Sequence, residues 1–274
     1  FNDAEKCYLR AIELKPDFVD AAWNLYLLSN NINQAEERLK QCLIIDKSYI
    51  KAELHLSALK LYQGDKSIFK KLLDSNYSDH PIIRTIKWAL SFPKLPKIFF
   101  QRRSFYDALI DQSIKERPFY EFGVYKGHSF KYLIKTFKKG YGFDTFEGLP
   151  EKWNDFEKGA FSTKGIIPKI DGGIFISGLF ENTLPKFFSE SRPVASIINF
   201  DADLYSSTLC ALNYSKSIID KDTILIFDEF IIHPNWEKDE YKALNKFCAE
   251  NNLSYEVLGV SYITYQTAVK LIGI

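Results

Sequence analysis

The stretch YEFGVYKGHS, residues 120–129, decides the fold. A short β-rich run, Phe119–Val124, gives way to a turn with glycines at 123 and 127, and the residues that follow take up the apolar spacing of a helix. Glycine lets the backbone turn sharply and approach another group closely, and the N–H groups at the start of the helix point at whatever sits there. Further short runs alternate with helical stretches: Tyr141–Phe143, Ile174–Ser177, Ala195–Phe200, Ile224–Phe227, Tyr255–Val260 and Thr267–Ile272. Strand, helix, strand in that order predicts a doubly wound, mostly parallel sheet of seven strands, an α/β fold of the Rossmann-like kind.

The ends of the predicted strands carry the polar residues. Asp144 closes the second run, about 20 residues beyond the glycine turn, where such folds accept hydrogen bonds from ribose hydroxyls. Asp201-Ala202-Asp203 and Asp228-Glu229 close the fourth and fifth. Four carboxylates at one sheet edge repel unless a cation or a proton joins them. The GxGxxG pattern that wraps a dinucleotide pyrophosphate is missing, which disfavours a nicotinamide-dependent oxidoreductase. S-adenosylmethionine has no phosphate and needs only the looser turn.

The motifs YEFGVYKGHS, GFDTFEGLPE, ISGLFENTLP, INFDADLYSST and LIFDEF, in that order across residues 100–274, resemble the macrocin O-methyltransferase family. The resemblance implies a class I S-adenosylmethionine-dependent methyltransferase, acting on a hydroxyl of a sugar or small metabolite, generally with a divalent metal. By position it implies that Glu121, Gly123, Gly127, Asp144, Ser177, Gly178 and Asp201 bind the cofactor. Asp201, Asp228 and Glu229 match the metal carboxylates, with Glu229 where the family more often has Asp, and Mg2+ is the expected ion. Asp201 and His233 are the candidate bases for the acceptor hydroxyl, an imidazole being suited to neutral pH. Trp153 falls in the region expected to form a lid over the acceptor, and His128 at the helix start reads as a cap or packing residue.

The first sixty residues repeat: Ala4, Leu14, Phe18, Ala21 and Leu25 recur 31 positions later as Ala35, Ile45, Tyr49, Ala52 and Leu56. With AIELKPDFVDAAWNL at its centre, the segment resembles tetratricopeptide repeats, three residues short of their usual period of about 34. Such repeats bind a protein partner or merely cap a neighbour; a scaffold whose second domain holds cofactor without turnover is the alternative reading. The expected domains are helical repeats over 1–78, a helical linker over 79–116 and the methyltransferase domain over 117–274. His55 and His80 read as surface or packing residues.

Composition narrows the partners. With 36 basic and 35 acidic residues the net charge is +1, so no long-range field favours nucleic acid or an anionic membrane. No apolar run approaches the roughly 18 residues of a membrane span. Cys7, Cys42, Cys210 and Cys248 lie far apart with no CxxC pair, as expected of reduced thiols in the cytoplasm. The chain holds no methionine and opens on Phe1, which reads as the start of a fragment.

Overall fold

The computed structural model describes residues 2–274, and the chain divides into two compact units. The first comprises residues 1–105 and 259–265, the second residues 106–258 and 266–274. The division falls inside the segment 79–116 expected to be a linker.

In the first unit, helices α1 (Asn2–Leu14), α2 (Val19–Leu27), α3 (Ile32–Ile45) and α4 (Ile50–Tyr62) follow one another with short turns, then α5 (Ser67–Leu73) and α6 (Pro81–Ala89). Each of α1 to α4 packs on the next. The 31-residue offset is kept: α1 and α3 end, and α2 and α4 begin, that far apart, and Ala21, Leu25, Ala52 and Leu56 are all buried. Pro16 lies in the turn that closes α1, where it cannot continue a helix. Asn31 caps α3, its Oδ1 accepting from Gln34 N at 2.9 Å. At the centre Tyr26 and His55 share a buried hydrogen bond of 2.8 Å, and burial pushes the His55 imidazole down to about 3. His55 is therefore a neutral packing residue.

A strand the sequence reading did not foresee, β1 (Lys97–Phe99), follows, and its three residues are too few to show a period. Next come α7 (Arg102–Ile110), β2 (Phe119–Phe122), α8 (His128–Phe137), β3 (Gly140–Asp144), β4 (Gly173–Ser177), α9 (Phe180–Phe187), β5 (Ile197–Phe200), α10 (Tyr205–Ser215), β6 (Ile224–Phe227), α11 (Glu240–Glu250), β7 (Ser254–Ser261) and β8 (Thr267–Ile272). The sheet thus has eight strands, not seven, in the order β1-β7-β8-β6-β5-β2-β3-β4. β1 pairs with β7, β2 with β3 and β5, β3 with β4, and β5 with β6, all parallel, whereas β6 pairs with β8 antiparallel. Every residue of β2, β5 and β6 is buried, the continuous apolar habit of strands covered on both faces.

One register feature organises the second unit. Phe227, Phe200, Phe122 and Phe143 occupy matched positions on β6, β5, β2 and β3. Their rings stack in sequence at 4.9, 5.4 and 4.9 Å with interplanar angles of 10°, 16° and 17°. All four are fully buried. Replacing Phe122, in the middle of the row, by Ala should cost about 3–5 kcal/mol through lost burial and a cavity. Urea unfolding measures it, and a loss below about 1 kcal/mol would mean that the row is not a structural element.

Candidate active site

Each phenylalanine of the row is the residue immediately before a candidate site residue: Gly123, Asp144, Asp201 and Asp228. The ladder hydrogen bonds continue one step past it. Asp228 N donates to Phe200 O at 3.0 Å, Asp201 N to Phe122 O at 2.8 Å, Gly123 N to Phe143 O at 2.9 Å and Gly178 N to Asp144 O at 2.9 Å. These residues therefore leave the carboxyl ends of adjacent strands side by side. From β2 the chain proceeds through β3 to β4 on one side, then returns to β5 and β6 on the other. The reversal between β2 and β5 is the topological switch point, where open α/β sheets bind ligands.

Gly123 stands at that point with φ +91°, and a Cβ built there would lie 1.8 Å from the Asp201 carbonyl oxygen. The two loops cross so closely that no side chain fits. Tyr125 (φ 50°) and Gly127 (φ 71°) continue the left-handed turn, and Gly127 precedes the first residue of α8. Asp144 holds this loop in place: its Oδ2 accepts from Val124 N and Tyr125 N, each at 2.7 Å, and its Oδ1 from Phe146 N at 2.7 Å. The residue expected to hold a ribose thus also shapes the loop beside it. Ser177 lies across from Asp144 in the β3–β4 register and is exposed, and Gly178 follows with φ +139°.

Glu121 points to the face of the sheet opposite the phenylalanine row, since successive strand residues alternate. It is fully buried, and Asn199 Nδ2, opposite it on β5, donates to its Oε1 at 2.8 Å. Burial pushes its carboxyl up to about 8, against the pull of Ser129 and Asn199. Asn199 was not anticipated; its signal was a lone polar residue within an otherwise apolar run, IINF.

The carboxyl groups beyond β5 and β6 are close enough to perturb one another. Asp203 has φ +59°, and burial, then the charges of Asp228, Asp239 and Asp144, push it up to about 7. Asp228 Oδ1 accepts from Gln266 Nε2 at 2.6 Å. Glu240, at the start of α11, is fully buried and accepts from Glu229 N through Oε2 at 3.3 Å. Burial and the neighbouring Asp203, Asp228 and Glu229 hold its carboxyl well above the usual range. Among the described residues, no group of three or more His, Cys, Asp or Glu side chains is placed to hold a metal ion. Asp201, Asp228 and Glu229, expected to share Mg2+, do not form such a group.

His233 is buried, with Nε2 2.9 Å from the Glu229 carbonyl oxygen. That oxygen can only accept, so Nε2 carries the proton and Nδ1, which has no hydrogen-bond partner among the described residues, keeps its lone pair. Burial lowers the imidazole pKa, leaving it neutral. His128 is exposed at the start of α8.

No protein-family model and no curated protein sequence matches the chain. Among solved structures, it is similar to CalS11, a calicheamicin methyltransferase, at 21% identity over 74% of this chain and 89% of that chain, with a TM-score of 0.49. It is similar to the O-methyltransferase NovP at 16% identity over 62% and 76%, TM-score 0.45. An O-methyltransferase from Bacillus cereus in complex with SAH aligns at 15% identity over 74% and 97%, TM-score 0.40. The fold assignment itself rests on the strand order and register described above.

Two outcomes follow from this geometry. Gly123→Ala places a methyl group into the Asp201 carbonyl and a side chain at a left-handed φ, and should destabilise the protein by at least ~2 kcal/mol in chemical unfolding; wild-type stability would show that the loops separate easily. For Glu121, the carboxyl moves from 4.5 to about 8 on folding, so the folded state retains a proton that the unfolded chain releases. Its contribution is fully present below about 4.5 and is lost as pH rises through about 8. Glu121→Gln keeps an acceptor for Asn199 and removes the titration, so its unfolding free energy should vary less with pH across that window. Parallel pH slopes in the two proteins would remove Glu121 as the source.

Proposed function

We propose that the protein is an S-adenosylmethionine-dependent methyltransferase that methylates a hydroxyl oxygen of a sugar or small metabolite. The observation that carries this reading is the alignment of Gly123, Asp144, Gly178 and Asp201 at the β2–β5 switch point, on a glycine turn lacking the dinucleotide pattern. S-adenosylmethionine, when bound, supplies an electrophilic methyl group on a sulfonium. The turn from Gly123 to Gly127 allows close backbone approach, Asp144 retains lone pairs for ribose hydroxyls beyond the amides it already accepts, and Ser177 and Gly178 border the adenine side.

The acceptor hydroxyl must lose its proton as oxygen attacks carbon. Asp201 and His233 are the residues assigned to take it, and the structure adds Asp203, whose carboxyl near 7 is matched to proton transfer at neutral pH. His233 would use Nδ1, because Nε2 is engaged by the Glu229 carbonyl. No step of this reading is routed through Mg2+.

We further assign helices α1 to α4 to a tetratricopeptide-like module for a protein partner, supported by the preserved 31-residue offset. All four cysteines are free, which supports a cytoplasmic location. No helix among the described residues is long and apolar enough to cross a membrane.

Isothermal titration with S-adenosylmethionine, S-adenosylhomocysteine and NAD tests the cofactor class. Binding of the first two and none of NAD is expected. Asp144→Ala should weaken that binding at least tenfold, about 1.4 kcal/mol, because it frees the amides of Val124 and Tyr125 as well as losing its own contact. Binding of NAD alone, or an unaltered affinity in a folded Asp144→Ala protein, would overturn the assignment.

A further inference from the structure

The connection between β3 and β4, residues 145–172, contains no helix or strand. Connections of that length in a compact domain are uncommon and tend to serve a site. Here the segment is attached at named points. Trp153 is buried with Leu149 and Leu204 in a small apolar cluster. Its Nε1 donates to Asp239 Oδ2 at 3.1 Å, and its ring meets His233 edge-on with centroids 5.9 Å apart. Beside it, Asn235 Nδ2 donates to Asn154 Oδ1 at 3.0 Å, and Ser206 Oγ donates to Glu151 Oε1 at 2.9 Å.

Of the residues Trp153 touches, His233 belongs to a clamp on Glu229 and Asp239 adjoins it. His233 Nε2 donates to the Glu229 carbonyl, and Glu240, next in sequence to Asp239, accepts from the Glu229 amide. The Glu229 peptide is thus held on both sides by residues 233 and 240, and these flank the loop that Trp153 braces.

We propose that Trp153 is a positioning residue: its indole N–H, through Asp239, and its ring, through His233, hold the clamp on the Glu229 peptide and so fix the Asp228–Glu229 corner beside Asp201. This rests on the reading that the acceptor's proton leaves at that corner. Trp153 itself touches neither the glycine turn nor Asp144, so cofactor affinity is not expected to depend on it.

Four variants separate the hydrogen bond from simple packing. Trp153→Phe keeps the ring and loses the donor. Asp239→Leu loses the acceptor, whereas Asp239→Asn keeps an acceptor oxygen without the charge. Trp153→Ala removes everything. The chain has four histidines, so the long-range proton–nitrogen spectrum of the imidazoles isolates His233. Trypsin cleavage after the exposed Lys158 and Lys164 reports detachment of the segment. Trp153→Phe and Asp239→Leu should shift the His233 signals and speed cleavage about fivefold, as the loss of one hydrogen bond implies, and Asp239→Asn should match wild type. Trp153→Ala should exceed both, and if it does not fold the other three decide. Unchanged His233 signals and cleavage in Trp153→Phe and Asp239→Leu, or an Asp239→Asn protein that behaves like Asp239→Leu, would overturn the proposal. S-adenosylhomocysteine affinity, measured in each protein, should stay at the wild-type value. A wild type that does not bind it refutes the methyltransferase reading, while the imidazole and cleavage results still judge the role of Trp153 as a brace.

Discussion

Four stacked phenylalanines, Phe227, Phe200, Phe122 and Phe143, hold β6, β5, β2 and β3 in one register, and the geometry of the candidate site follows from that register. Because β2, β5 and β6 end at their phenylalanines and β3 one residue later, Asp228, Asp201, Gly123 and Asp144 emerge in a line. A shift of one residue in any strand would turn its phenylalanine out of the row and carry its polar residue away from the others. Burial of large aromatic rings below the site therefore supplies the order above it.

That order brings like charges together. Asp203, Asp228, Glu229 and Glu240 lie near enough that burial and mutual repulsion raise the Asp203 and Glu240 carboxyls. The fold offsets part of this with specific donors: Gln266 to Asp228, the Glu229 amide to Glu240 and, on the other face of the sheet, Asn199 to Glu121. Asp144 takes the opposite course, accepting three amides that a glycine turn leaves without partners. Buried groups that keep protons at neutral pH are suited to transferring them, and the same arrangement lowers stability as pH rises.

Much of this was legible in the chain. The strands from Phe119 onward stand out because buried parallel strands are short apolar runs between turn residues, and the polar residues at their ends are conspicuous against them. The close approach of Gly123 to Asp201 was foreshadowed by glycine in a turn, but not its partner, since contact between loops after β2 and β5 depends on strand order. β1 escaped notice because Lys-Ile-Phe carries no period. The assignment of Asp201, Asp228 and Glu229 to a shared metal came from the resemblance alone, and the engagement of Asp228 by Gln266, from a strand late in the chain, had no signal in the sequence. The phenylalanine row was present as a recurring Phe-Asp at 143, 200 and 227, a pattern whose meaning needs the register of strands far apart in sequence.

The central claim is that the line of residues above the phenylalanine row is a cofactor seat. The crystal structure of the protein grown with S-adenosylhomocysteine tests it most directly. The account predicts the ligand at the β2–β5 switch point, its ribose beside Asp144 and its sulfur end against the Gly123–Gly127 turn. Well-ordered ligand bound elsewhere, with Asp144 and the turn unengaged, would contradict it.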